Sequence, residues 1–256
     1  MPETHARGRP VVAVDAAPAA RPVLTGTETY ALEVGRRLPA AAPDLAFRLY
    51  SSRPAEVTGL DLTVLPGRRL WSQLRLPAEL WRRPPALFFA PSHVVPFLAP
   101  GPALTVVHDL AFERFPDAYR APDRAYLRLT TAWAERRCAR IITVSQSTAA
   151  DLAALHGVDR ARIDVVPLGG GERVPAVRRA LARNRARELG VDGPYVLHVG
   201  RVEARKNQIT ALAAVERLGS LQLVCAGPVA DHRLGAQLAA SERCLVLGPV
   251  SPAALD

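Results

Sequence analysis

Residues 195–207, Y-V-L-H-V-G-R-V-E-A-R-K-N, constrain the fold of this chain more than any other stretch. The run 195–199 is short and apolar, the pattern of a strand buried in a parallel sheet. Gly200 ends it, and Arg201 and Lys206 follow, five residues apart. Asn207 then stands where an N-cap belongs, before the helical spacing of Ile209, Leu212, Ala213 and Glu216. A strand that stops at glycine and delivers two cations to a helix start puts positive charge at the carboxyl end of a sheet. Open α/β sheets bind ligands at that edge. Two fixed cations in a partly dry site suit a diphosphate. The same residues also fit an ordinary basic surface loop, and spacing alone does not separate the two.

At 256 residues the chain is long enough to bury a sizeable core, with room for two small domains. Its net charge of +9 raises the question of nucleic acid. No nucleic-acid-binding motif, interleaved aromatic platform or dominant basic run accompanies that charge, so nucleic acid is not expected as a partner. The excess is arginine spread over expected helix faces, a basic surface that also favours anionic donors and anionic lipid headgroups. Cys138, Cys225 and Cys244 are odd in number and widely spaced. They fit neither a disulfide framework nor a zinc site, and imply a reducing compartment. Residues 11–14 are too short for a signal-peptide core, and no stretch reaches transmembrane length. A cytoplasmic protein is expected, with room for peripheral membrane contact.

Apolar runs at 11–14, 45–50, 62–65, 87–90, 104–107, 141–144 and 163–166 read as seven strands of a first domain. Thr25 and Glu28 have capping-box spacing ahead of Tyr30, Val34 and Leu38, and place Gly26 at a helix N-terminus open to a ligand. A tight strand-to-helix turn explains Gly26 equally well. The fifth strand delivers His108 and Asp109 at its carboxyl end, where a doubly wound fold puts its chemistry. A lone buried histidine is more often a satisfied core group, but the adjoining aspartate makes this pair a catalytic candidate. Residues 123–138 carry Leu127, Thr131, Ala134 and Cys138 at helical spacing, and Ser145 or Ser147 caps the next helix. From Arg68 to Pro85, Leu70, Trp71, Leu74, Leu80 and Trp81 sit among five arginines, interrupted by Pro77. This stretch, Arg68 to Arg83 above all, reads either as a membrane-interface element or as a broken helix covering the sheet. Three glycines at 169–171 form a hinge. A first domain of residues 1–171 and a second of 172–256 are expected.

The motif G-R-x-E-x-R-K-N resembles the donor-phosphate motif of glycosyltransferase family 4, the retaining GT-B enzymes. V-V-H-D-L at 106–110, T-V-S-x-S at 143–147, A-G-P at 226–228 and L-G-x-V at 247–250 agree with it. The resemblance implies an α/β GT-B fold of two Rossmann-like doubly wound domains facing a cleft. It implies that Arg201 and Lys206 hold the diphosphate of a nucleotide-sugar, with Gly26 against the same phosphates. His108 would lie closest to the reacting sugar with Asp109 beside it, and Ser145 would face the cleft. Gly227 and Val250 would line the nucleotide pocket. The implied reaction is retaining transfer of a sugar, mannose by mild preference, to a glycan or lipid-linked acceptor, with no cofactor. No Asp-x-Asp pair occurs, so no metal site of the GT-A kind is expected.

The acidic E-x7-E segment of the family would fall beyond Asp256, and only three strands are expected after residue 171. The second domain is therefore expected to be incomplete, and the chain to be a truncated glycosyltransferase whose activity on its own the sequence leaves open. Two alternatives stay open: a sugar-nucleotide epimerase or hydrolase on the same fold, and a non-catalytic nucleotide-sugar-binding module. A dehydrogenase is disfavoured, because no G-x-G-x-x-G follows either the first strand or the one ending at Val199.

Overall fold

Seven parallel strands make the first sheet: β1 (Val11–Asp15), β2 (Ala46–Ser51), β3 (Leu62–Val64), β4 (Leu87–Ala90), β5 (Ala103–Val107), β6 (Arg140–Thr143) and β7 (Ile163–Val165). The computed structural model describes residues 8–21, 24–54, 62–67, 70–169 and 184–250. The sheet order is β3-β2-β1-β4-β5-β6-β7, so the chain winds outward from β1 in one direction and from β4 in the other. β1 pairs in parallel with both β2 and β4 and is buried along its whole length. A strand covered on both faces needs no polar alternation, which is why V-V-A-V reads as a continuous apolar run. The carboxyl ends on either side of the β1–β4 switch are where this topology leaves a crevice.

Helices α1 (Gly26–Ala41), α2 (Leu76–Arg82), α3 (Ala111–Arg114), α4 (Ala121–Arg137) and α5 (Gln146–His156) complete the first unit, which comprises residues 1–168. One core face packs Val12, Val14, Leu49, Phe89 and Val106 against Tyr30, Val34 and Leu38 of α1. The other gathers Ala13, Phe88, Leu76, Leu80, Ile141 and Leu152. The expected capping box is present: the Thr25 N–H donates to Glu28 Oε2 at 3.1 Å. Of the two serines offered as the α5 cap, Ser145 serves, its Oγ accepting from the Thr148 N–H at 3.1 Å. Thr131, Ala134 and Cys138 are buried on the inner side of α4.

The arginine-rich stretch folds as a broken helix packed on the sheet. Trp71–Arg75 forms a π-type turn that runs into α2, with Pro77 in the first helical turn, where no backbone donor is lost. Trp71, Leu76 and Leu80 point into the core, and Trp71 Nε1 donates to the Leu65 carbonyl at 2.7 Å. Leu70, Leu74 and Trp81 face outward, Trp81 being 64% exposed. Arg68 and Arg69 lie outside the described residues.

The second unit, residues 169–256, holds a three-stranded parallel sheet of β8 (Tyr195–Val199), β9 (Gln222–Ala226) and β10 (Cys244–Gly248) in the order β10-β9-β8. Helices α6 (Gln208–Leu218) and α7 (His232–Ala239) cover one face. The core there is Val202, Leu212, Val215, Leu223, Cys225, Leu234 and Leu238. Two expectations need correction. β8 is parallel but not buried: Val199 is 58% exposed, because β8 is an edge strand and only β9 pairs with it among the described residues. Asn207 stands at the N-cap position of α6 but in left-handed conformation, φ 53°, and does not cap the backbone. Its Oδ1 accepts from the Thr210 hydroxyl at 2.9 Å instead. Asparagine tolerates that conformation better than most residues, so its identity suits either role. Most of the helix expected at 177–189, the hinge glycines Gly170 and Gly171, and the helix opening at Ser251 lie outside the described residues.

Candidate active site

In the first unit the sequence-derived residues gather at the carboxyl edge of the sheet. His108 leaves the end of β5, and its Nε2 lies 2.9 Å from the Pro91 carbonyl oxygen beyond β4. Tyr30 packs edge-on against the His108 ring, with centroids 4.9 Å apart and planes at 84°. Because Tyr30 is one turn inside α1, this contact brings the helix N-terminus at Gly26 toward the histidine. Gly26 is exposed, and a Cβ there would meet nothing within 4 Å, so its amide end is open to an incoming group. Asp109 Oδ1 accepts from the Ala111 N–H at 3.0 Å, so its carboxylate braces the start of α3. Ser145 lies one strand over, beyond β6. The Thr148 hydroxyl contacts Ser145 Oγ and donates to the His108 carbonyl at 3.0 Å, tying the two strand ends together.

Tyr30, Thr148 and His93 are neighbours that sequence reasoning did not single out. Tyr30 looked like one more apolar residue on a helix face, and Thr148 like filler after a cap. His93 follows β4 much as His108 follows β5, and that parallel was a readable signal. Its Nε2 is buried without a partner among the described residues. Burial, and then the nearby His108, push His93 down to about 4, while Asp109 pulls the other way. His93 is therefore neutral at physiological pH and able to hydrogen-bond without adding charge.

Asp15 ends β1 at the same edge. It is buried, and desolvation lifts its carboxyl to about 6, against the lowering effects of the Ala17 N–H and of Arg21. An acid whose folded pKa is raised stabilises the fold only when protonated. Stability is therefore full below the unfolded value of 3.8 and is lost as pH rises through about 6. The difference corresponds to roughly 3 kcal/mol at neutral pH. Asp15→Asn keeps the acceptor for Ala17, so it is expected to raise the melting temperature at pH 7.5 and to change nothing near pH 4. Equal melting curves for both proteins at pH 7.5 would show that the buried charge has no such cost.

In the second unit the loops after β8 and β9 are stitched to each other. The Gly200 N–H donates to the Ala226 carbonyl at 2.8 Å, the Val202 N–H to Pro228 at 2.9 Å, and the Ala230 N–H to Val202 at 3.0 Å. Gly200 and Gly227 both have positive φ, 146° and 147°, and a Cβ on Gly227 would lie 2.1 Å from the Gly200 carbonyl oxygen. On this platform Arg201 and Lys206 are exposed, and neither forms an ion pair among the described residues. The neighbouring Arg205 is held by Glu203 at 2.8 Å. The Arg201 carbonyl accepts from Gln208 Nε2 at 2.9 Å, which fixes the backbone from which Arg201 projects. Gly227 is buried behind the platform, its N–H donating to the Gly248 carbonyl at 2.8 Å. Val250 is half-buried, two residues past the end of β10. Among the described residues no group of three or more His, Cys, Asp and Glu side chains is placed to hold a metal ion. No helix among them is long and apolar enough to cross a membrane.

Residues 24–169 match Glycosyltransferase Family 4, more than half of the chain. The chain belongs to glycosyltransferase family 4. Solved structures share the fold of this family 4 chain at low sequence identity. HepE of Anabaena in complex with UDP-glucose superposes with a TM-score of 0.65 at 15% identity, over 94% of this chain and 69% of that one. The catalytic domain of starch synthase IV from Arabidopsis thaliana, bound to ADP and acarbose, gives 0.64 at 12% identity, over 95% and 74%. A protein assigned as a UDP-N-acetylglucosamine 2-epimerase from Listeria monocytogenes gives 0.51 at 12%, over 96% and 70%. No curated protein matches the sequence. The fold is the GT-B class expected from the motifs, and the chain is a glycosyltransferase by family.

Proposed function

We propose that the protein transfers a sugar, with retention at the anomeric carbon, from a nucleotide-diphosphate sugar to a glycan or lipid-linked acceptor. The observation that carries this reading is the glycine-stitched platform after β8 with its two exposed cations, Arg201 and Lys206. These cations neutralise charge developing on the leaving diphosphate, and the open amides at Gly26 add the positive end of α1. His108, held by Pro91 and Tyr30, orients the reacting sugar, with Asp109 and Ser145 fixing the loop around it. Gly227 and Val250 line the nucleotide. No protein nucleophile is assigned, and a donor phosphate oxygen accepts the proton of the attacking hydroxyl. The reaction needs no cofactor. HepE with UDP-glucose and starch synthase IV with ADP support a nucleotide-linked donor, and mannose is the sugar we favour. The outward-facing Leu70, Leu74 and Trp81 support a peripheral site at the cytoplasmic face of a membrane.

The test is to incubate the chain with UDP-, GDP- and ADP-linked hexoses, with and without oligosaccharide and polyprenyl-phosphate acceptors. Nucleoside diphosphate released only with acceptor, and an α-linked product from an α-linked donor, is the expected result. Donor consumed without acceptor would make it an epimerase or hydrolase. A raised melting temperature without turnover would make it a binding module.

A further inference from the structure

Outside the crevice, three separate elements of the first unit contribute to one hydrophobic surface. The π-type turn and α2 supply Leu74 and Trp81, the loop between β4 and β5 supplies Leu98, and α4 supplies Tyr126 and Leu129. All five are exposed, Leu98 at 65%. Hydrogen bonds join the elements. Trp81 Nε1 donates to the Leu98 carbonyl at 2.8 Å, the Phe97 N–H to Gln73 Oε1 at 2.9 Å, and Trp133 Nε1 to the Pro96 carbonyl at 3.4 Å. The Phe97 and Trp133 rings pack with centroids 5.3 Å apart. Tyr126, Leu129 and Trp133 share one face of α4, the face that meets this loop. Scattered exposed leucines need no explanation, but large apolar side chains gathered on one face do.

Charge and hydrogen bonding decide what covers it. On the arginine-rich stretch Arg75, Arg82 and Arg83 accompany one carboxylate, Glu79, which already pairs with Arg82 at 2.7 Å and Arg83 at 3.7 Å. On α4, Arg136 and Arg137 follow Trp133 by three and four residues and continue its face. Arg137 also donates to the Ala99 carbonyl at 3.1 Å, which sets its charge beside the loop. With Asp123 in the first turn of α4, two acids stand against five arginines. Apolar tips bordered by guanidinium groups match the headgroup region of a bilayer, where Trp and Tyr sit at the interface and arginine meets phosphate. The exposed indole suits hydrocarbon for a further reason. Its N–H is satisfied inside the chain, so lipid can cover Trp81 without stranding a donor. The same bonds hold the loop in place, so docking orders little that is not ordered already.

We infer that this three-element face docks on an anionic phospholipid bilayer, with Leu74, Trp81, Leu98 and Leu129 entering the interface together. The inference rests on the peripheral-membrane part of the proposed function and carries it beyond the arginine-rich stretch. It also bears on the acceptor. The loop that presents Leu98 begins at Pro91, whose carbonyl meets His108, so docking sets the candidate active edge at the bilayer and selects a lipid-borne acceptor over a free glycan. Vesicle flotation of the full chain tests it, with phosphatidylcholine alone and mixed with phosphatidylglycerol. The chain is expected to float with the mixture and hardly at all with phosphatidylcholine alone. Brominated acyl chains should quench Trp81, and Trp81→Phe should remove most of that quenching. Leu98→Ser and Leu129→Ser truncate exposed side chains outside the arginine-rich stretch, so both should melt as the parent does while binding weakens about tenfold in each. Arg136→Ala should weaken it about fivefold at low salt. Binding that survives both leucine substitutions and vanishes at high salt would overturn the inference, reducing the contact to the pull of a basic protein toward an anionic surface. The peripheral-membrane reading would survive that result. Failure to bind either vesicle would remove both. A dimer in solution dispersed by Leu98→Ser would make the face a contact between copies, and overturn the inference as well.

Discussion

Lys206→Ala and Arg201→Ala are each expected to lower kcat/KM for the nucleotide-sugar by roughly 10²–10³-fold, the usual consequence of removing one preorganised charge partner from a transition state. Both side chains are exposed and neither is held by a carboxylate among the described residues. Their removal therefore breaks no ion pair among the described residues, and the melting temperature should not move. That separation makes the experiment decisive, since a structural role would shift stability along with rate. The loss should fall on kcat as well as KM, because charge on the diphosphate grows as the glycosidic bond breaks. Arg205→Ala is the control. Arg205 is one residue away in sequence, but its guanidinium is already engaged with Glu203 at 2.8 Å. It is expected to retain turnover within a few-fold. Equal losses in Arg205→Ala and Lys206→Ala would mean that the loop responds to net charge alone, and the phosphate role would fall.

How much of this was legible beforehand depends on what each residue's chemistry leaves ambiguous. The seven strands of the first unit could be read because β1, β4 and β5 are covered on both faces, and continuous apolar runs of four or five residues have few other uses. Thr25 with Glu28, and Ser145 with Thr148, could be read because capping is local. The exposure of β8 could not. V-L-H-V is the same string whether neighbours cover both faces or only β9 lies alongside, since burial is set by what packs on a strand. Asn207 was misread for a different reason: its side chain suits both an N-cap and a left-handed residue, and only the path of the preceding turn at Ala204–Lys206 chooses between them. His93 and Tyr30 escaped notice because their meaning comes from meeting His108 across the β1–β4–β5 edge. Sequence separations of fifteen and seventy-eight residues hide such a meeting.

Gly227→Ala is expected to destabilise the second unit by more than about 4 kcal/mol, enough to unfold it while the first unit stays folded. Two independent causes add. At φ 147° an alanine is in a region that L-residues avoid. Its Cβ would also sit 2.1 Å from the Gly200 carbonyl oxygen and 2.6 Å from the carbonyl carbon, both backbone atoms of the neighbouring loop. Relief requires the loops after β8 and β9 to part, which sacrifices the Val202–Pro228 and Ala230–Val202 hydrogen bonds and uncovers Val202, a fully buried member of that small core. Gly219→Ala separates the causes. Gly219 also has a positive φ, 68°, but nothing lies within 4 Å of its added Cβ, so it should cost only about 1 kcal/mol. Hydrogen exchange gives the readout. Amides of β8, β9 and β10 should lose protection in Gly227→Ala, while those of β1 and β4 keep theirs. Protection retained throughout would mean that the two loops do not need their close approach. The platform beneath Arg201 and Lys206 would then be looser than the geometry requires, and the case for a preorganised phosphate grip would weaken with it.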